Sequence, residues 1–135
     1  MRLQLALNVR NIEEAVSYYS KLFDTQPHKR RKGYANFAID NPPLKLVLIE
    51  NPNADDRINH LGVEVEQKED LSGVLNRLEH VGIVDEIENQ TTCCFAIQDK
   101  IWSTEPQGLR WEWYTITDDN PKEANAPKTS NMCCT

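Results

Sequence analysis

Apolar residues take every second position from Leu5 to Val9 and again from Leu61 to Val65, so each segment reads as a strand with one face on a core. The two segments superimpose with a shift of 56 positions, Leu5 falling on Leu61, Leu7 on Val63 and Val9 on Val65. The same shift carries into a helical stripe. Ile12, Ala15, Val16, Tyr19, Leu22 and Phe23 recur at helical spacing, and Ala15, Tyr18, Tyr19 and Leu22 fall on Leu71, Val74, Leu75 and Leu78. Asn11 with Glu14 predicts a capped start to the first helix, and Gly82 predicts the stop of the second.

Short strands follow each helix. The first half offers Gly33 to Ile39, a turn at Asp40-Asn41-Pro42-Pro43, and Leu44 to Glu50. The second offers Thr92 to Gln98, Ile101 to Ser103, a turn at Glu105-Pro106-Gln107-Gly108, and Leu109 to Thr115. The pattern predicts an α+β fold of two paired βαβββ modules, about 1–52 and 57–117, able to form one curved sheet or open barrel. Residues 118–135 turn polar and predict a flexible C-terminal tail.

Composition narrows the classes. Apolar residues are 39% and charged residues 27% of 135, an ordinary globular balance for one domain. The net charge of −6 argues against nucleic acid as a partner, and no apolar run is long enough for a membrane span. The basic cluster His28-Lys29-Arg30-Arg31-Lys32 reads as a solvated loop, with an anion-attracting lip as the alternative. The N-terminus enters strand alternation without a signal-peptide core, which predicts a cytoplasmic protein.

Parity then points to chemistry. Gln4 and His60 occupy equivalent repeat positions on the face opposite the apolar row, and Glu112 lies opposite Trp111 and Trp113. An amide, an imidazole and a carboxylate are a credible set for a divalent cation with open coordination positions. Val47 stands at the fourth repeat position. A strand histidine is also commonly a hydrogen-bonded half-buried residue, and Glu112 also suits a rim ion pair. His28 and His80 have no such parity. Lys100, Trp102 and Tyr34 are candidates to line a cleft, with packing as the alternative.

The four cysteines form adjacent pairs, Cys93-Cys94 and Cys133-Cys134. Neighbouring Cα atoms are about 3.8 Å apart, shorter than the separation a disulfide needs, so neither pair is expected to bridge internally. Free soft thiols are the simpler expectation. In a regular strand neighbours point to opposite faces, so two such sulfurs serve one atom only at a bend, bulge or loop. Glu88 to Thr92 is compatible with such a loop.

With these residues in view, the chain resembles the vicinal oxygen chelate superfamily of glyoxalases, bleomycin resistance proteins and extradiol dioxygenases. Within it, LALNVRNIEEAVSYYSKLF, GYANFAIDNPPLKLVLIENP, NHLGVEVE, TTCCFAIQDKIW and RWEWYT resemble the organoarsenical carbon–arsenic lyases and their cadmium-induced relatives. The resemblance implies a central Fe(II) held by Gln4, His60 and Glu112, with Cys93 and Cys94 gripping trivalent arsenic. It implies an O2-dependent dioxygenase that cleaves the carbon–arsenic bond of methyl- or aryl-arsenicals to give arsenite, a detoxifying activity. Rival readings are a cadmium- or arsenite-sequestering protein without catalysis and a glyoxalase-like isomerase or thiol transferase. A homodimer is compatible with paired modules.

Overall fold

The computed structural model describes residues 1–122. Its elements run β1 (Arg2–Val9), α1 (Ile12–Leu22), β2 (Lys29–Arg31), β3 (Tyr34–Ile39), β4 (Leu44–Glu50), β5 (Ile58–Glu64), α2 (Lys68–His80), β6 (Glu86–Cys93), β7 (Ala96–Thr104) and β8 (Arg110–Asp118). This is the α+β fold of two βαβββ modules. The chain divides into two compact units, Arg2–Leu61 and Gly62 onward, with Met1 grouped in the latter.

In the first unit the strand order is β2-β3-β4-β1, followed by the first residues of β5. β1 runs parallel to β4, with Gln4 opposite Lys45 and Ala6 opposite Val47, and β3 runs antiparallel to β4. Leu5 and Leu7 pack on a core of Val9, Ile12, Ala35, Phe37, Ile39, Leu46 and Leu48, together with Ala15, Val16, Tyr19 and Phe23 of the helix side. The other parity of β1, Gln4, Ala6 and Asn8, is also buried. Asn11 caps α1, its Oδ1 accepting from the Glu14 amide at 2.9 Å. Leu22, counted in the apolar stripe, is instead exposed: the helix ends there, and Phe23 takes the contact with the core.

In the second unit the last residues of β5 are followed by β8, β7 and β6. Val65, Leu71, Leu78 and Ile101 form its core, with Val74, Leu75, Val84 and Trp113 against them. Helix α2 ends in paired backbone bonds, from Gly82 N–H to Glu79 carbonyl at 3.1 Å and from Ile83 N–H to Leu78 carbonyl at 3.2 Å. That closure needs Gly82 at φ +75°, a left-handed conformation that glycine adopts without a Cβ penalty.

Three local expectations change. The basic cluster is not wholly loop, because Lys29–Arg31 form a short strand against β3, with Lys29 buried. Glu88 to Thr92 is strand β6 with a register irregularity between Glu88 and Thr91, where Gln90 takes φ +49°. Thr92 to Gln98 is not one strand but the closing end of a hairpin, and β7 then continues unbroken through Ile101 to Ser103. Apolar composition on both sides of Cys94 hides the turn from a periodicity argument. No helix among the described residues is long and apolar enough to cross a membrane.

Gly82→Ala tests the helix stop. No heavy atom outside its own neighbourhood approaches within 4 Å of an added Cβ, so only the backbone conformation is penalised. Urea unfolding should show a loss of about 1–2 kcal/mol, and unchanged stability would count against the left-handed closure.

Candidate active site

The first unit brings together two of the expected ligands. Gln4 and His60 are both buried, at 4% and 1% exposure, and their Nε2 atoms stand 3.2 Å apart. An amide N–H facing an imidazole nitrogen is a hydrogen bond when that nitrogen carries its lone pair. Turning the Gln4 carboxamide over presents Oε1 in the same place, so the pair offers one oxygen and one nitrogen donor. This donor chemistry fits a divalent first-row metal. Val47 is buried on the same face as Gln4, opposite Ala6, and contributes only apolar surface there. Among the described residues no three His, Cys, Asp or Glu side chains gather into a metal-holding group. The candidate set therefore depends on an amide.

The second unit carries the other candidates on one sheet face. Directly opposed residues share a face, and the register opposes Cys93 to Ala96, Thr91 to Gln98, Lys100 to Tyr114 and Trp102 to Glu112. Gln98, Lys100, Trp102, Tyr114 and Glu112 are all at most 3% exposed. Asp99, Ile101 and Trp113 take the opposite parity, and the latter two pack with the α2 core. Glu112 is thus held on the non-helix face, as its alternation with the tryptophans predicts.

Glu112 has an internal counter-charge. Lys100 Nζ lies 2.5 Å from Glu112 Oε2, and both side chains are about 98% buried or more. The ammonium also sits 5.4 Å from the Trp102 ring centroid and 5.1 Å from that of Tyr114. Trp102 Nε1–H in turn donates to Glu88 Oε1 at 2.8 Å. Lys100 and Trp102 therefore belong to the buried row, whereas Tyr34 is a buried acceptor for Asn36 Nδ2 at 3.0 Å in the first unit. Gln98 and Asp99 were missed by the motif reading. Their signal was Gln-Asp-Lys inside an otherwise apolar strand. Gln98 Nε2 donates to the Cys93 carbonyl at 2.7 Å, and Asp99 Oδ1 accepts from the backbone and side chain of Gln90 at 2.7 and 3.0 Å. These two residues brace the hairpin that carries the cysteines.

The hairpin itself is tight. Cys93 pairs with Ala96, leaving Cys94 and Phe95 as a two-residue loop at φ +50° and +65°. Both angles positive is the mirror-type hairpin turn that normally selects Asn-Gly. Placing Cys and Phe there costs on the order of 1 kcal/mol per residue. The result is that the two sulfurs leave strand alternation and stand 3.7 Å apart. That exceeds the roughly 2.0 Å of a mutual disulfide but is less than twice the roughly 2.3 Å of a bond from sulfur to a soft cation such as zinc. Neither is a free thiol in this state, since both are disulfide-bonded. This corrects the expectation of free thiols, and Cys93 is buried at 4% exposure while Cys94 is half-buried. Cys133 and Cys134 lie outside the described residues.

A cavity of about 490 Å³ opens in the first unit beside α1 and the 51–57 segment, but neither Gln4 nor His60 lines it.

The family model described as the Glyoxalase/Bleomycin resistance protein/Dioxygenase superfamily matches residues 3–113. The cadmium-induced protein CadI of Mycobacterium tuberculosis is 49% identical over 140 residues, covering 98% of this chain and 92% of the relative. The trivalent organoarsenical cleaving enzyme of Thermomonospora curvata is 49% identical over 135 residues, covering 99% of this chain and 88% of the relative. A further enzyme of that name from Bacillus sp. MD1 is 34% identical, covering 96% and 80%. Among solved structures, the Mn(II)-bound glyoxalase of Novosphingobium aromaticivorans superposes with a TM-score of 0.62 at 15% identity, over 89% of this chain and 40% of that one. A superfamily member from Vibrio splendidus gives 0.55 at 16%, over 85% and 97%. These two likenesses concern the fold.

The Lys100–Glu112 pair yields a test of its own. Lys100→Met leaves a buried carboxylate without its ammonium and should cost about 3–5 kcal/mol. Adding Glu112→Gln should restore part of that loss. Strictly additive losses in chemical unfolding would show that the two groups are not coupled.

Proposed function

Because the chain belongs to the glyoxalase, bleomycin resistance protein and dioxygenase superfamily, we propose that it cleaves the carbon–arsenic bond of trivalent organoarsenicals with Fe(II) and O2. In this reading Cys93 and Cys94 hold the arsenic, and Gln4, His60 and Glu112 are the iron ligands. The observation that carries it is the 3.7 Å separation of two adjacent sulfurs on a turn. Trivalent arsenic is soft, and a pair of thiolates at this spacing suits one soft centre. The name of the Thermomonospora curvata relative, at 49% identity, supports arsenic as the substrate element.

The residues divide the work. Reduced Cys93 and Cys94 displace two hydroxyls from an arsonous acid, releasing two waters and forming two arsenic–sulfur bonds. The carbon substituent then remains as the third group on arsenic. Gln98 and Asp99 keep the base of the hairpin in register while its tip carries the load. A bound ferrous ion would supply the one-electron chemistry that ground-state O2 requires. For methylarsonous acid, one O2 balances to one arsenous acid and one formaldehyde, so no further reductant enters. The buried faces around Gln4 and His60, and around Lys100 and Glu112, exclude water and strengthen local electrostatics.

Cys93 and Glu112 share a face, but their partner positions, Ala96 and Trp102, are six residue steps apart along β7. That is roughly 20 Å of strand, so the loaded hairpin has to fold along the face before chemistry.

Cadmium or arsenite sequestration is the second reading, favoured by the similarity to CadI. Phosphine-reduced, iron-loaded protein incubated in air with methylarsonous acid should release arsenite, and should not do so without O2. Absence of oxygen-dependent release would favour sequestration. Cys93→Ser and Cys94→Ser should keep iron and lose arsenical binding, while His60→Ala should lose iron. Normal turnover by either serine variant would remove the cysteine assignment.

A further inference from the structure

The first unit contains a hydrogen-bond chain that ends on His60. Asn8 Nδ2 donates to the backbone carbonyl of Asp56 at 2.9 Å. Asn59 Nδ2 donates to Asn8 Oδ1 at 3.1 Å. Asn59 Oδ1 lies 2.7 Å from His60 Nδ1, and His60 Nε2 lies 3.2 Å from Gln4 Nε2. Asn8 is buried at 7% exposure and clamped through its main chain, its N–H donating to Arg57 carbonyl at 2.7 Å and its carbonyl accepting from Arg57 Nε at 3.2 Å.

The polarity of this chain is not free. A carbonyl oxygen can only accept, so Asn8 has to meet Asp56 with its NH2 and turn its oxygen towards Asn59. Asn59 therefore donates to Asn8 and turns its own oxygen towards His60. An oxygen acceptor at 2.7 Å calls for a proton on Nδ1. The neutral ring then keeps its lone pair on Nε2, the atom beside Gln4. Reversing either asparagine would set two oxygens or two NH2 groups against each other.

We propose that Asn59 and Asn8 are positioning residues that lock His60 in the Nδ1–H tautomer, leaving Nε2 ready for a divalent metal. The metal half of this proposal rests on the reading of His60 as a ligand; the tautomer half does not. Partners that hold the remote ring nitrogen of a ligating histidine typically contribute 10–100-fold to metal affinity.

The test uses the full chain, reduced and metal-free, with 15N-labelled histidine. Two-bond proton–nitrogen correlations distinguish the tautomers, and His28→Gln and His80→Gln identify the His60 ring. The wild type should show Nδ1–H at His60. Asn59→Asp keeps the oxygen at Nδ1 although it loses the donor to Asn8, and should retain Nδ1–H, whereas Asn59→Leu and Asn8→Leu should shift the ring towards Nε2–H. Mn(II) affinity, read by electron paramagnetic resonance, should fall 10–100-fold in Asn59→Leu and stay within about threefold of wild type in Asn59→Asp. An Nε2–H ring in the wild type, or an unchanged ring in folded Asn59→Leu, overturns the relay. A shifted ring with unchanged Mn(II) affinity overturns its role in metal binding. If the wild type binds Mn(II) no better than His60→Ala, the metal site itself fails, and the ring spectra still decide the relay.

Discussion

A strand cannot offer an apolar row to its helix without offering its other row to the opposite side. This two-residue period is the constraint on which both units depend. In the first unit Leu5 and Leu7 take the helix side, so Gln4, Ala6 and Asn8 are committed to the other face. In the second, Ile101 and Trp113 take the helix side, and Lys100, Trp102, Glu112 and Tyr114 are committed likewise. Because both rows are buried, the polar row has to satisfy itself. Gln4 meets His60, Glu112 meets Lys100, and Trp102 meets Glu88.

That self-satisfaction has a chemical consequence. A buried carboxylate held by a buried ammonium, and an imidazole held by amides, are groups fixed in orientation before any ligand arrives. Leaving any one partner unmatched would cost more than the net gain of making the bond. The same networks that keep the faces stable therefore preorganise their donor atoms. Removing a single member costs stability whatever its role in a site, which is why paired and conservative substitutions are the informative ones.

Periodicity made the repeat, both helices and the parity of Gln4, His60 and Glu112 legible, because those features follow from spacing alone. Partners set by register were not legible in the same way. Lys100 reaches Glu112 because β7 and β8 align Trp102 with Glu112, and no local pattern specifies that alignment. The hairpin at Cys94-Phe95 was hidden for a different reason: neither residue is a usual turn former, and the flanking residues read as continuous strand. Still, the condition that adjacent sulfurs need a bend to act together follows from strand geometry, and the turn meets it. The Asn8–Asn59 chain gave no sequence signal beyond asparagines at two strand positions.

The strained turn also orders events on the proposed reading. A regular strand would have kept Cys93 and Cys94 on opposite faces, unable to share an atom. An Asn-Gly turn would have been cheaper but would hold no sulfur at its tip. The hairpin accepts about 1 kcal/mol or more per left-handed residue, an amount small beside the energy of two arsenic–sulfur bonds. Meanwhile Cys94 is half-buried and Phe95 exposed, while Glu112 is almost fully enclosed. On that reading arsenic capture belongs to the hairpin end of the face, where Cys93 is itself buried, and oxidation to the Glu112 end. The roughly 20 Å of β7 between them makes movement of the loaded hairpin a requirement of the mechanism, and Gln98 and Asp99, which hold its base, are the natural pivot.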